Sequence, residues 1–274
     1  MTDCSDLRQK TVKTGFVARA LAVFRVESVH IYDTGLLGSE QRRNADLLRK
    51  LLRYMDVPQY LRRKVFSKSQ ALKFAGLLPP LRTKSHPLEA TTNDLREGSI
   101  RWGLQERPGK IDLGLDKLVS YSKAVSERDP TLFKVVKTTP HIVLETIERE
   151  DISEYWGYEV ERVSSLTELL KAFDDTTRIG FSRNAPLFHQ LENDLKSTVA
   201  GTQAVLAVFG GPSHGILEFS ESERESVKAN IDFWINSIPD QGTETVRLEE
   251  ALFVSLGVLN SLVGKMIAKP GFHE

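Results

Sequence analysis

Ile235-Asn236-Ser237-Ile238-Pro239-Asp240-Gln241-Gly242-Thr243-Glu244-Thr245-Val246-Arg247-Leu248-Glu249-Glu250-Ala251 is the stretch on which the fold turns. The apolar run 233–238 reads as a strand that stops at Pro239. A polar loop follows. A helix then carries Val246, Leu252, Phe253, Leu256, Leu259 and Leu262 at helical spacing. Two earlier segments repeat the plan. The strand 178–181 runs into Ser182-Arg183-Asn184 and a helix over 187–197. The fully apolar strand 204–209 runs into Gly210-Gly211-Pro212-Ser213-His214-Gly215-Ile216. Strands alternating with helices imply an α/β domain with a mostly parallel sheet. In such a sheet, ligands sit beyond the carboxyl ends of the strands. Glycine there lets backbone approach a ligand, and proline fixes φ. Three such loops on one edge can form one pocket. Each part alone also has a plainer account. Gly210-Gly211-Pro212 is a tight turn, Glu249 and Glu250 suit the positive end of a helix, and the apolar stripe after them is core.

Working outward, the amino-terminal part has the same character. Residues 8–25 read as a helix, 28–32 as a strand, 44–55 as an amphipathic helix and 60–72 as another. Leu78-Pro79-Pro80-Leu81 and His86-Pro87 then break the pattern. Short β-type runs follow at 99–104, 110–115, 117–121, 132–138 and 141–147, separated by turns such as Pro108-Gly109 and Asp129-Pro130. Five short strands fit a small antiparallel barrel of the OB type. The α/β pattern resumes after Tyr155-Trp156-Gly157-Tyr158. The expected organisation is one discontinuous α/β domain, 1–84 and 152–274, interrupted by a barrel over 85–151.

The net charge is zero, yet it is unevenly spread. Residues 1–84 hold 17 Lys/Arg against 7 Asp/Glu, and residues 85–274 hold 20 against 30. This asymmetry points to polyanion contact through the basic part, the other reading being solvated helix faces. The single cysteine, Cys4, excludes an internal disulfide and a thiolate-rich zinc site. The six histidines have no metal spacing, so no metal is expected. No G-x-G-x-x-G or G-K-[ST] supports a dinucleotide or P-loop site. No apolar run reaches the ~18 residues of a membrane span. The cytosol is the simplest compartment.

Taken together, the segments are far more specific than their parts. Residues 235–251, with Phe209-Gly210-Gly211-Pro212 and Ser182-Arg183-Asn184, resemble the three cofactor loops of a SPOUT (α/β-knot) RNA methyltransferase family from archaea and eukaryotes. Tyr155-Trp156-Gly157-Tyr158-Glu159-Val160 is similar to that family's return from an inserted OB-like domain. Pro58-Gln59-Tyr60-Leu61-Arg62-Arg63-Lys64-Val65-Phe66 and Leu78-Pro79-Pro80-Leu81-Arg82 are similar to its amino-terminal half. The resemblance covers nearly the whole chain. It implies a trefoil knot, an exception to unthreaded topology. It also implies S-adenosylmethionine as cofactor, a homodimer with the 251–262 helix as candidate interface, and rRNA or tRNA as substrate. Family members begin with a strand and loop ahead of the segment matching Asp6-Leu7-Arg8-Gln9-Lys10-Thr11. That strand is not expected within this sequence.

The resemblance assigns cofactor contacts to Ser182, Arg183, Phe209, Gly210, Gly211, Pro212, Gly215, Asn236, Ile238, Pro239, Gln241, Gly242, Thr243, Thr245, Val246, Arg247 and Ala251. Gly15-Phe16-Val17-Ala18-Arg19-Ala20 is similar to the first-helix arginine motif of the ribose-methylating branch. Arg19 is therefore the first catalytic candidate, against the reading of a helix-surface arginine. Glu244 and Glu250 are candidate bases. Arg62, Arg63, Lys64, Arg101 and Lys110 are candidate RNA contacts, with Trp102 and Tyr121 as stacking candidates on the barrel, the favoured reading of Trp102 being barrel core. The alternative to an enzyme is a non-catalytic RNA-binding or assembly factor that keeps the knot.

Overall fold

The computed structural model describes residues 3–33, 38–202, 204–211, 215–218 and 221–263. The chain begins with α1 (Leu7–Val23), β1 (Ser28–Tyr32), α2 (Ser39–Asp56) and α3 (Gln59–Val65). Short 3-10 turns lead to β2 (Ile100–Arg107), β3 (Lys110–Asp112), β4 (Val119–Ser120), β5 (Thr131–Lys137) and β6 (Val143–Thr146). Then come β7 (Glu159–Val163), α4 (Leu166–Ala172), β8 (Thr177–Phe181), α5 (Phe188–Ala200), β9 (Val205–Phe209), α6 (Glu221–Ala229), β10 (Phe233–Ile235) and α7 (Leu248–Val263). Among the described residues, no helix is long and apolar enough to cross a membrane.

The expected mixed α/β architecture is present, with an antiparallel sheet in its middle. β2 to β6 form that sheet in the order β4-β3-β2-β5-β6. It lies in the chain between β1 and β7, which pair in parallel from Ser28↔Glu159 to Tyr32↔Val163. A third sheet, β10-β8-β9, is wholly parallel. Apolar residues cover both of its faces. Ile179 and Ile235 pack with α1, α5 and α7 through Leu21, Leu195, Leu252 and Leu256. Val208 packs with Leu166 and Leu170 of α4, with Val227 of α6 and with Ile231 just ahead of β10. The antiparallel sheet has its own core of Ile111, Leu113, Phe133 and Val135. Gly103 makes this core possible. A Cβ there would lie 2.6 Å from Ile111 and 2.8 Å from Phe133.

Several elements depart from the sequence reading, each for a physical reason. α2 begins at Ser39 rather than 44, in a charged first turn without apolar spacing but with Glu40 at the helix's positive end. The 60–72 helix ends at Val65 because Phe66 turns extended; residues 70–72 form a separate 3-10 turn. The strand expected at 117–121 is only Val119–Ser120. β10 ends at Ile235, three residues early, because Asn236 turns its side chain to the neighbouring loop. β7 and α6 were not expected at all. β7 buries only Val160, so it shows no alternation; pairing with β1 holds it in place.

The return from the antiparallel sheet is fastened to the end of α2. The buried Asp56 carboxylate accepts hydrogen bonds from the Tyr158 amide at 3.0 Å and from Arg149 Nη2 at 3.2 Å. Gly157, at φ +98°, brings its Cα so close that a Cβ would sit 2.1 Å from Asp56 Oδ1. The Tyr158 hydroxyl donates to Leu52 O at 3.3 Å. Two more groups finish the helix end. Arg62 Nη2 donates to Met55 O at 3.0 Å, and His86 Nε2 lies 2.9 Å from the same oxygen. Only the neutral tautomer with hydrogen on Nε2 leaves Nδ1 free to accept from Thr83 Oγ1 at 2.8 Å. Burial, with the nearby Arg62 charge, pushes the His86 pKa down to about 4.

Candidate functional site

The three parallel strands stop at one level. Phe181 is in register with both Phe209 and Ile235. The loops after β8, β9 and β10 therefore leave the same edge. The connection from β8 to β9 travels one way across the sheet, and that from β9 to β10 crosses back to the far side of β8. Such a reversal opens a crevice beyond the carboxyl ends. At the carboxyl ends of β8 and β9 the half-buried Phe181 and Phe209 rings stack, 4.9 Å between centroids and 12° between planes, against the core beneath the sheet.

Asn236 joins two of the loops. Its backbone bridges Leu187 in parallel, and its amide donates to Pro186 O at 2.8 Å. Its Nδ2 donates to Arg183 O at 2.9 Å, and its Oδ1 accepts from the Ile238 amide at 2.9 Å. The Ser182 amide donates to Ile235 O at 3.0 Å. Arg183 Nη1 donates to Glu244 O at 3.2 Å, a second tie between the same loops. Inside the last loop, Gln241 Nε2 donates to Thr243 O at 2.8 Å and Thr243 Oγ1 donates to Thr245 O at 3.0 Å. These turns fix Asp240 at φ +49°. Pro239, Gly242 and Thr245 are exposed, Val246 is half-buried, and open space faces the Gly242 Cα. None of the described hydrogen bonds uses the amides of Gly242, Thr243, Thr245 or Val246.

The middle loop is tied at its base. The Tyr32 hydroxyl donates to Phe209 O at 2.8 Å, and burial pushes its ionisation well above the ordinary phenol range. It therefore remains a neutral donor. Gly210 is half-buried and Gly211 and Gly215 are exposed. Pro212 lies outside the described residues. Tyr32 escaped the sequence reading, although a polar-tipped aromatic closing an apolar strand is a signal for such a tie.

The catalytic candidates fall in three different settings. Glu244 has an exposed side chain on the last loop, and its carbonyl is held by Arg183 and Gln241. Glu250 Oε2 accepts the Arg247 amide at 2.8 Å, which caps α7; Arg247 O accepts from Ala251, in the helix's first turn. Arg19 is half-buried on α1, and its Nη1 donates to Leu81 O at 2.6 Å. One turn earlier, a Cβ on Gly15 would meet Pro79 Cδ at 2.6 Å. The Gly15–Arg19 motif thus seats the 78–82 segment against α1. No hydrogen bond or ion pair described for Arg19 reaches the three loops. α1 does reach α7, where buried Lys13 pairs with Glu249 at 3.0 Å and with Asp3.

The RNA-contact candidates also divide. Arg101 was expected on the barrel surface, and the structure places it inside. It is 3% exposed, with Nε on Leu113 O at 3.0 Å, Nη2 on Glu89 O at 2.9 Å and its guanidinium over the Tyr60 ring. Tyr121 is likewise core, edge-on to Phe133. Trp102 is half-buried with Arg149 over its ring. Arg62 is engaged at the end of α2, and Lys64 pairs with Asp112 at 2.7 Å and with Glu106. Lys110 reaches Ser120 Oγ at 2.7 Å, and Arg63 is exposed. Among the described residues, no group of acidic, histidine or cysteine side chains could hold a metal ion.

Over 278 residues the chain is 31% identical to a protein of undetermined function from Halobacterium salinarum, covering 94% of each. It is 28% identical over 283 residues to the 28S rRNA (uridine-N(3))-methyltransferase of Homo sapiens, covering 91% of this chain and 72% of that one. The Drosophila melanogaster protein of the same name is 27% identical over 290 residues, covering 93% and 58%. A sequence model for the family described as "Putative RNA methyltransferase" matches residues 1–259, and the chain belongs to that RNA methyltransferase family.

Proposed function

We propose that this protein is an S-adenosylmethionine-dependent methyltransferase of the SPOUT type acting on ribosomal RNA, with N3 of a uridine as acceptor. One observation supports it most: in a member of an RNA methyltransferase family, three parallel strands end level, and Asn236 binds two of their loops into one edge. The loop residues suit an adenosine and an amino-acid moiety. Free amides at 242–246 offer donors, and the stacked Phe181 and Phe209 rings offer an apolar floor. Ser182, Phe209, Gly210, Gly211, Ile238, Gln241, Thr243 and Val246 are the proposed contacts, with Arg183 or Arg247 for the carboxylate. In this reading the 235–251 segment closes a trefoil knot, and the antiparallel sheet is an OB-like insert over 85–151 that helps hold RNA.

Bound S-adenosylmethionine supplies an electrophilic methyl carbon. Uridine N3 must lose its proton as it takes that methyl, so a base and a cation beside the ring oxygens both lower the barrier. Glu244, exposed on the loop, is the better placed base, because Glu250 already caps α7. Arg19 is the proposed cation. A second copy of the chain fits the α1–α7 face, where Phe16, Val23, Phe253 and Val254 are exposed beside Arg19. Such a homodimer places one protomer's α1 near the other's loops.

The test is transfer of tritiated methyl from S-adenosylmethionine to ribosomal RNA lacking the modification, followed by nucleoside mass spectrometry. The expected product is 3-methyluridine. Arg19→Ala should abolish transfer while cofactor binding by calorimetry is retained. Cofactor and RNA binding without any transfer would favour an assembly factor and overturn the reading.

A further inference from the structure

We propose that a groove between the end of α2, α3 and residues 66–75, away from the three loops, is a docking site for the phosphate backbone of the substrate RNA; this rests on the RNA methyltransferase reading above. The groove encloses about 660 Å³ and is lined by Tyr54, Arg62, Arg63, Phe66, Lys68 and Lys73, among others. Among the described residues, no acidic side chain lines it. Lys73 also lines an adjoining hollow of about 380 Å³ that includes Arg8. The sequence explains the charge. From Val57 to Leu88 there are seven Lys/Arg and no Asp or Glu.

The cations differ in what they can offer. Arg62 holds Val57 O at 2.8 Å and Met55 O at 3.0 Å, and its guanidinium lies 4.9 Å from the centroid of the Tyr54 ring. Tyr54 in turn meets Phe66 edge-on at 5.3 Å. This is a rigid, positively charged, aromatic wall. Arg63 and Lys68 stand exposed at the rim, and Lys73 lies over the Phe74 ring. None of these three has an ion-pair partner among the described residues. Lys64, by contrast, is turned away to Asp112 and Glu106 on the antiparallel sheet. Three unpaired cations over an aromatic floor match a single-stranded polyanion: phosphates meet the ammonium and guanidinium groups, and a base or ribose can lie on the ring edge. A divalent cation would require acidic ligands, which the groove lacks.

The experiment uses the full chain and a fluorescein-labelled single-stranded RNA of mixed sequence, titrated at several salt concentrations. The combined variant R63A/K68A/K73A should bind this RNA at least tenfold more weakly. Its slope of log affinity against log salt should shrink by about 2, at roughly 0.7 per lost phosphate contact. Its melting temperature and its S-adenosylmethionine binding should match wild type. A folded variant with wild-type RNA affinity and slope overturns the groove, and so does polyglutamate that displaces RNA as well as RNA does. If wild type binds RNA through the groove but transfers no methyl, the enzymatic reading falls and the groove stands. If wild type binds no RNA, both fall.

Discussion

At the end of α2, the largely buried Asp56 takes hydrogen bonds from Tyr158 and Arg149; beyond β10, Asn236 makes bonds of similar length at an open edge. The geometry is alike and the consequence is opposite. A buried carboxylate deprived of its partners has nothing to replace them, so the junction behaves as one unit. An edge amide that lets go is solvated at once, so the loops are held in place with little stability at stake. The molecule separates the two demands: the join between its sheets is buried and bonded at several points, and the edge proposed for its chemistry is one where side chains can exchange partners.

The sharpest break of this comparison is Asp56→Ala. It strands the Arg149 charge and the Tyr158 amide, and should cost about 3–5 kcal/mol in urea unfolding. A loss below about 1 kcal/mol would mean that the junction is no tighter than the loop edge. Next is acid. Unfolded histidine titrates near pH 6.5, and folded His86 near pH 4. Above pH 6.5 both states are neutral. Between pH 6.5 and 4 the unfolded chain takes a proton that the folded chain refuses, so stability falls as pH falls, by roughly 3 kcal/mol in all. His86→Gln should flatten that part of the pH–stability curve; an unchanged curve would remove His86 from the account. The smallest effect on stability belongs to Asn236→Ala, about 1 kcal/mol. The same variant should lower methyl transfer at least tenfold, because the loops lose their mutual register. Full activity in a variant of normal stability would show that the edge does not depend on this tie.

The sequence made the loop edge easier to read than the junction. Glycine and polar residues after apolar runs mark strand ends locally, so the ends before 182 and 210 are legible in the sequence, while Pro239 places the end of β10 three residues too late. What Asn236 does there is not legible, since its partner Arg183 is 53 residues away. Asp56 looked like a helix-terminal acid, and only its meeting with Gly157 and Arg149 gives it a role. Arg101 misled for the same reason: its charge suggested a surface, while two carbonyls distant in the chain take it inside. β7 left no trace, because a strand with one buried residue is defined by the strand beside it. Arg63 is exposed and has no ion pair among the described residues, as its charge suggests, whereas the pairing of Lys64 across the fold is not legible in the sequence.

The pairing of β1 with β7 also has a consequence for how the protein is made. Ser28 meets Glu159, so β1 leaves the ribosome long before its neighbour is synthesised, and the whole antiparallel sheet emerges in the interval. Until then the hydrogen-bonding edge of β1 stays open to other chains. A contact of such long range is slow to form. The nascent chain therefore has a period in which this edge of β1 lacks its partner, and it ends only once β7 has left the ribosome.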